Sequence, residues 1–289
     1  MENMIDGFRE YLEKGGLSAS TIECYLRDVY KFLSSVSAGL CENALDYIEH
    51  LEESETPKST IARTISSLKS YFKFQSINTT ETDTSLSGIK PVKIERNEPE
   101  ILGIAEIEAI FSQPDIETPD GMRDRIALEL AYQTGLSVNF LLALNVDNVN
   151  LQTGVILIKS DGKEKIVPIA GILPTLMNEY IAKTRIAILK GKNERALLIN
   201  MRGGRLTRQS LWRITERYAE MAGIEVKVTP IVLRNSFCAH MIDNGADAHD
   251  IRDVRGMADA SASALYSAIT QLKYKQAIAR AHLKQDDNK

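Results

Sequence analysis

A Ser- and Thr-rich stretch at residues 76–98, which lacks regular hydrophobic spacing, is the feature that most constrains how this chain can fold. Such composition is typical of a connection between compact units rather than of a helix or a strand. The 289 residues are also enough for two ordinary domains. We therefore predict domains at residues 1–80 and 99–289, joined by a linker at residues 81–98.

The residues before this stretch predict a helical domain. Ser20 and Glu23 resemble a capping box at the start of a helix. Two apolar stripes then repeat at helical spacing, which indicates helices with one buried face. The stripes consist of Ile22, Tyr25, Leu26, Val29, Phe32 and Leu33, and of Ile61, Ile65, Leu68, Tyr71 and Phe72.

The residues after the stretch predict more helices and one small β-hairpin. A helix from Arg123 to Thr134 ends at Gly135, and a short helix follows from Val138 to Leu144. Strands at 155–158 and 165–169 flank a turn that contains Asp161-Gly162. Further helices run from Thr207 to Gly223 and from Thr229-Pro230 to Gly245. The predicted fold class is therefore mainly α with a small β-sheet.

The distribution of charge is strongly uneven. The whole chain carries a net charge of −4, whereas residues 183–217 contain ten basic and two acidic side chains, a net charge of +8. Residues 1–95 carry a net charge of −5. A solvated helix and loop face is one explanation, but the asymmetry favours a site for a polyanion.

Several classes of protein are excluded by the composition and by missing motifs. The sequence has no apolar run of membrane-spanning length and an acidic rather than basic start, so we expect a cytoplasmic protein. The three cysteines and four histidines show no metal-binding spacing, and no Walker A, GxGxxG or GxSxG motif occurs. We therefore expect no metal, cofactor or membrane partner.

Several segments, taken in order, resemble the tyrosine recombinases, or phage integrases, and most closely the Xer recombinases. They are Leu17 to Asp28 (LSASTIECYLRD), Arg123 to Leu136 (RDRIALELAYQTGL), Leu206 to Ile214 (LTRQSLWRI), Leu233-Arg234 with Gly245 to Asp247, and Gly256 with Tyr266. The resemblance runs from about residue 5 to residue 275. It implies a SAM-like core-binding domain at the N-terminus and an α+β integrase catalytic-type domain after it.

The resemblance also implies a reaction that needs no metal or cofactor. A tyrosine attacks a phosphate of double-stranded DNA and stays attached as a 3′-phosphotyrosine, which preserves the bond energy for rejoining. Two arginines hold the non-bridging oxygens, where negative charge develops. A lysine on the β-hairpin protonates the leaving 5′ oxygen, and two further residues assist by hydrogen bonding.

Some of the catalytic positions that the family uses are filled in this sequence. Tyr266 stands at the nucleophile position and Arg234 at the second arginine. The hairpin is one residue shorter than usual, so its lysine is ambiguous. Lys159 is the nearest match, and Lys163 matches a neighbouring, non-catalytic lysine.

Three expected catalytic positions are substituted. Ser137 stands at the first arginine, Ile231 at a histidine, and Met257 at a histidine or tryptophan. Ser137 is well suited to cap the helix that begins at Val138, and the two apolar side chains are interpreted as filling a pocket. None of the three can supply a positive charge, so strand cleavage is expected to be impaired or absent and enzymatic activity is left open.

Three hypotheses for the function follow. The first is a degenerate recombinase that still binds DNA, in an architectural or regulatory role or as a partner of an active recombinase. The second is an active recombinase with a rewired site, and the third is a protein-interaction module without DNA binding, which the acidic N-terminal domain favours. The residues predicted to bind DNA are Arg202, Arg205, Arg208, Arg213, Arg217, Lys69 and Lys73.

The C-terminal tail is predicted to form a helix at residues 269–283. In the family this tail often packs on a neighbouring subunit of a cyclic tetramer on DNA. The tail of this chain could therefore bind a second copy, a partner recombinase, or its own core.

Overall fold

The computed structural model describes residues 2–40, 43–78, 98–160, 163–255 and 264–275. The chain divides into two units, Met1–Asn97 and Glu98–Lys289. Each unit has its own apolar core. The predicted fold class, mainly helical with a small antiparallel sheet, is confirmed. The predicted linker, apart from Glu98, lies outside the described residues.

The N-terminal unit consists of helices whose apolar faces meet in one core. The helices are α1 (Glu2–Lys14), α2 (Ala19–Ser37), α3 (Ala44–Glu53) and α4 (Lys58–Asn78). Both predicted apolar stripes line this core, together with Phe8 and Leu12 of α1. The buried carboxylate of Asp28 links α2 to α4, because it pairs with Arg63 and accepts a 2.9 Å hydrogen bond from the Ser67 hydroxyl.

The predicted capping box at Ser20 and Glu23 is wrong. Helix α2 begins two residues earlier than that box requires, and its N-cap is Ser18, whose side-chain oxygen accepts from the Thr21 amide at 3.2 Å. The Glu23 carboxylate pairs instead with Arg9 of α1 at 2.8 Å. The carboxylate therefore joins two helices rather than closing the end of one.

The second unit is a helical domain with one small sheet. Its first helices are α5 (Ile104–Phe111), α6 (Pro119–Gln133) and α7 (Val138–Ala143). The strands are β1 (Val149–Asn150), β2 (Val155–Ser160) and β3 (Lys163–Pro168), paired antiparallel in that order. The later helices are α8 (Leu173–Glu179), a π-helical turn (Tyr180–Thr184), α9 (Arg185–Leu189), α10 (Arg208–Met221), α11 (Pro230–Asp243), α12 (Ala248–Arg255) and α13 (264–275).

Most helix boundaries predicted in this unit agree with the structure because local residues set them. The predicted start of α6 at Arg123 is wrong, because Thr118 caps the helix and Pro119 begins it. Ser137, Thr207 and Thr229 are N-caps, and each side-chain oxygen accepts a hydrogen bond from a backbone amide in the first turn. Gly135 and Gly245 adopt positive φ angles, +58° and +93°, just beyond α6 and α11. Helix α6 is buried along most of its length and packs against α11, so α11 lies on the central helix of the domain.

Among the described residues, no helix is both long enough and apolar enough to span a membrane.

Candidate phosphate pocket and nucleic-acid interface

Arg234 lies in the second turn of α11 and is almost entirely buried. Its Nε donates a hydrogen bond to the carbonyl oxygen of Gly135, at the turn that follows α6. A buried guanidinium is stable only when carbonyl oxygens or anions accept its hydrogen bonds. The bond therefore holds Arg234 beside the segment that carries Ser137, the residue that the family resemblance assigns to the position of the first arginine.

Ser137 has a structural use in this protein. Its Oγ accepts a hydrogen bond from the Phe140 amide at 3.3 Å and thereby caps α7, as the sequence predicted. The hydroxyl is uncharged, so it cannot replace a guanidinium opposite a phosphate. The side chain of Phe140 itself is 41% exposed, which leaves an apolar group at the surface of the same short helix.

The two apolar substitutions have different outcomes. Ile231 is 45% exposed at the first turn of α11, so the interpretation that its side chain fills a pocket is wrong. Helix α11 turns this side chain outward because Val232 and Leu233 occupy the buried face. Met257, together with Gly256, lies outside the described residues.

The β-hairpin separates its lysines onto two faces. Lys159 pairs across the ladder with Glu164, and their side chains form an exposed ion pair at 2.9 Å. The next pair along the ladder is Ile158 with Lys165. Because successive side chains of a strand alternate between faces, Lys165 lies on the same face as the buried Ile158.

Lys165 is a residue that the sequence analysis missed. Its side chain is half-buried, and this burial lowers the pKa of its ammonium group. The positive charge of Arg234 lowers the same pKa further, whereas the carboxylate of Asp253 on α12 raises it. Lys165 is therefore within electrostatic reach of Arg234, on the face of the hairpin opposite to Lys159.

Tyr266 lies on α13, which docks on the core of its own unit. The tyrosine packs against a cluster formed by Cys238, Ala239, Ile251 and Ile269. The ammonium group of Lys273 pairs with Asp243 and donates to the carbonyl oxygen of Ala239 at 2.7 Å. Helix α11 therefore carries Arg234 and, one turn later, Cys238, which belongs to the cluster against which Tyr266 packs.

Of the three partners considered for the C-terminal tail, its own core is the one that the described part of the tail contacts. Residues 269–275 of the predicted tail helix pack on the chain's own core, whereas residues 276–283 lie outside the described residues. A contact between that outer part and a second subunit stays a prediction.

The cations of residues 183–217 fall into two groups. The first group binds other parts of the protein. The Arg185 guanidinium donates to the Ala196 carbonyl at 2.7 Å, Arg205 donates to the Leu142 carbonyl at 2.7 Å, and Arg217 donates to the buried Asp124 carboxylate at 2.6 Å. The other members of this group are Lys183 with Glu179, Lys192 with the Arg202 carbonyl, and Arg195 with Asp147.

The second group consists of exposed side chains. Within the described parts of the chain, no carboxylate or carbonyl contacts the side chains of Lys190, Arg202, Arg208 and Arg213. Lys69 and Lys73 of α4 are exposed in the same way in the N-terminal unit. The structure thus separates three predicted DNA-binding arginines from Arg205 and Arg217, whose guanidinium groups already have protein partners.

The loop at Gly203-Gly204 has its amides occupied. The side-chain oxygen of Asn200 accepts from the amides of Arg202 and Gly204, at 2.9 and 3.2 Å, and the Asn200 carbonyl accepts from Gly203 at 2.8 Å. Backbone groups bonded in this way are unavailable to a phosphate. In the described residues, no group of three or more His, Cys, Asp or Glu side chains could hold a metal ion.

Comparison with known proteins agrees with these features. The profile described as Phage integrase family matches residues 101–272, and the profile Phage integrase, N-terminal SAM-like domain matches residues 5–76. The tyrosine recombinase XerD of Listeria innocua is 33% identical, over 98% of this chain and 99% of its own. XerD of Staphylococcus epidermidis is 30% identical over the same shares of the two chains.

Solved structures share the fold. The XerH site-specific recombinase, in a post-cleavage complex with the palindromic difH substrate, matches with a TM-score of 0.72 and 20% identity, over 89% of this chain and 79% of that one. A lambda integrase tetramer bound to a Holliday junction matches with a TM-score of 0.67 and 17% identity, over 93% of this chain and 77% of that one. On these grounds, this chain belongs to the phage integrase family of tyrosine recombinases and is of the Xer type.

Proposed function

We propose that this protein binds duplex DNA as Xer-type recombinases do, and that its own ability to cleave a strand is impaired or lost. The observation that carries this proposal is the state of Ser137. The hydroxyl group that replaces the first arginine is used as a helix cap, and it adds no positive charge beside Arg234. Removing one donor to a developing oxyanion typically costs about 10²–10³ in rate.

The exposed side chain of Ile231 supports the same conclusion. An isoleucine cannot donate a hydrogen bond to a phosphate oxygen or transfer a proton, whereas the histidine usual at this position can do both. The effects of the two losses need not multiply, because groups that act on one transition state are coupled. Either loss alone is still large enough to make cleavage slow.

Exposed cations support the retention of DNA binding. Arg202, Arg208 and Arg213 offer three positive charges on the second unit, and Lys69 and Lys73 offer two on the first. Contacts with phosphates release counterions, so the observed affinity should fall as salt rises. With its own cleavage impaired, the protein would act by occupying a recombination site, alone or beside an active recombinase.

Two measurements test this function. Fluorescence anisotropy of labelled duplex DNA, over a range of NaCl concentrations, should show binding that weakens with salt. Absence of such binding would favour a protein-interaction module instead. Nicked suicide duplexes of random sequence should give no SDS-stable adduct. An adduct that forms with the wild-type protein and disappears in Tyr266→Phe would identify an active recombinase with a rewired site.

A further inference from the structure

A cleft of about 380 Å³ lies in the N-terminal unit, where α2, α3 and α4 meet. Cavities of this size are large enough to hold a small ligand. The lining is basic, although residues 1–95 as a whole carry a net negative charge. The lining side chains on α2 and α4 are Arg27, Asp28, Lys31, Thr60, Arg63 and Thr64.

Helix spacing explains why these side chains converge. Arg27 and Lys31 lie four residues apart on α2 and therefore share one face of that helix. Thr60 and Thr64 have the same spacing on α4, which packs against α2. Because α4 begins at Lys58, the cleft also lies beside the N-terminal end of this helix, where the helix dipole favours an anion.

The cations of the cleft have hydrogen-bonding capacity to spare. The one carboxylate on the lining belongs to Asp28, which is buried and already pairs with Arg63. Both hydrogen bonds of the Arg63 side chain use Nη1, so Nε and Nη2 have no acceptor within the described residues. The Lys31 ammonium group has none there either, and Arg27 donates only to the weak acceptor Sγ of Cys24, at 3.2 Å.

The hydroxyl group of Thr64 points to a ligand independently of these charges. Thr64 is only 3% exposed, and its hydroxyl forms no hydrogen bond with any residue that the structure describes. A buried hydroxyl without a partner is costly, and nearly all such groups in native proteins are satisfied. An oxygen atom of a ligand in the cleft would accept the missing bond.

We propose that this cleft binds one phosphate group, held by the charges of Arg27, Lys31 and Arg63 and by a hydrogen bond from Thr64. Phosphate suits these donors because it is a multiply charged anion whose oxygens accept several hydrogen bonds at once. None of the four residues belongs to those already proposed to contact DNA, so the inference does not rest on the proposed function. The phosphate belongs either to a small free molecule or to a DNA backbone, and the two sources give different experimental results.

Inorganic phosphate is the first probe. It is titrated at constant ionic strength into protein that carries ¹³C in its threonine methyl groups, and the Thr64 resonance is identified by its loss in Thr64→Val. Phosphate, but not chloride, should shift this resonance along a saturable curve. Lys31→Met keeps the apolar stem but removes the charge, and it should weaken binding by about tenfold or more. Lys14→Met, which replaces an exposed lysine at the end of α1, outside the cleft, should leave binding unchanged.

Thermal unfolding tests the hydroxyl of Thr64 separately. Thr64→Val removes an unpartnered buried hydroxyl, so the variant should keep or raise the wild-type Tm in buffer without phosphate. Saturating phosphate should raise the Tm of the wild-type protein more than that of Thr64→Val. A clearly lower Tm of Thr64→Val without phosphate would mean that the hydroxyl has a partner within the fold, and would overturn the site.

Duplex DNA distinguishes the two sources of the phosphate. If a backbone phosphate occupies the cleft, Lys31→Met reduces the slope of log affinity against log salt by about 0.9, and Thr64→Val binds DNA more weakly. If the ligand is a small free molecule, both variants bind DNA like the wild-type protein and lose affinity for inorganic phosphate alone. If the two variants match the wild-type protein with both probes, the site is overturned while the proposed function stands. A wild-type protein without salt-dependent DNA binding overturns the proposed function, and the phosphate titration still decides the cleft.

Discussion

Arg213 and Arg217 lie four residues apart on α10, and we expect their replacement by alanine to have opposite consequences. Arg217 donates to the buried carboxylate of Asp124 at 2.6 Å, and its guanidinium lies 4.5 Å from the centre of the Tyr218 ring. The Arg213 side chain is exposed and contacts no partner among the described residues. The two residues therefore make a matched pair, one for stability and one for DNA binding.

The size of the effect at Arg217 follows from the burial of its partner. A hydrogen bond to a charged group contributes about 1.5–3 kcal/mol to the free energy of unfolding, and a cation–π contact adds about 0.5 kcal/mol. About half of the Arg217 side chain is exposed, and Asp124 keeps its 2.6 Å bond to Arg123, so the lower part of the range applies. We expect Arg217→Ala to cost about 2 kcal/mol, or about 4–8 °C in Tm.

Thermal unfolding and the DNA anisotropy assay together test this separation. Arg217→Ala should lower the Tm and keep the salt dependence of DNA binding measured below that Tm. Arg213→Ala should change the free energy of unfolding by less than about 0.5 kcal/mol and reduce the salt slope by about 0.9. If Arg217→Ala keeps the wild-type Tm and reduces the slope as Arg213→Ala does, Arg217 contacts phosphate and the reasoning is refuted.

Three further predictions concern stability. Ser137→Ala should lower the free energy of unfolding by about 1 kcal/mol in urea titrations, because it removes the cap of α7, whereas Ser137→Gly should cost only a few tenths. Asp28→Ala should destabilise the N-terminal unit by about 2 kcal/mol in the same titration, since Arg63 and Ser67 lose their shared acceptor; an unchanged midpoint would contradict this. Burial lowers the pKa of His240, so folding favours its neutral form and stability should fall as pH decreases through about 6.5; His240→Gln should lose less Tm than wild type between about pH 7.5 and 5.5.

Local signals in the sequence predicted most of the helix boundaries in the second unit. The caps at Ser137, Thr207 and Thr229 depend on residues within one turn, so the sequence contains everything needed. At the start of α2 the local signal is degenerate, because Ser18 and Ser20 are both good caps. A long-range partner, Arg9, decides the role of Glu23, and a reading of the local sequence cannot foresee it.

The candidate site was harder to predict than the fold, because charge counts do not reveal how each charge is used. Residues 183–217 are basic, yet Arg205 reaches carbonyl oxygens more than sixty residues away in the sequence, and Arg217 reaches Asp124 on α6. Predicting the position of Lys165 required the register of the hairpin, because the register decides the face on which each side chain lies. The ladder pairs Ser160 with Lys163, and that register places Lys165 opposite Ile158.

Tyr266 shows why a catalytic residue type is a weak sign of catalysis in this chain. Its ring packs against the cluster that anchors α13, so an aromatic side chain is explained at this position without any chemistry. The hydroxyl group is the part that packing does not require. Tyr266→Phe should therefore keep the Tm and the DNA affinity of the wild-type protein. A marked loss of either would mean that the hydroxyl itself has a partner in the fold or on the DNA, and would reopen the question of cleavage.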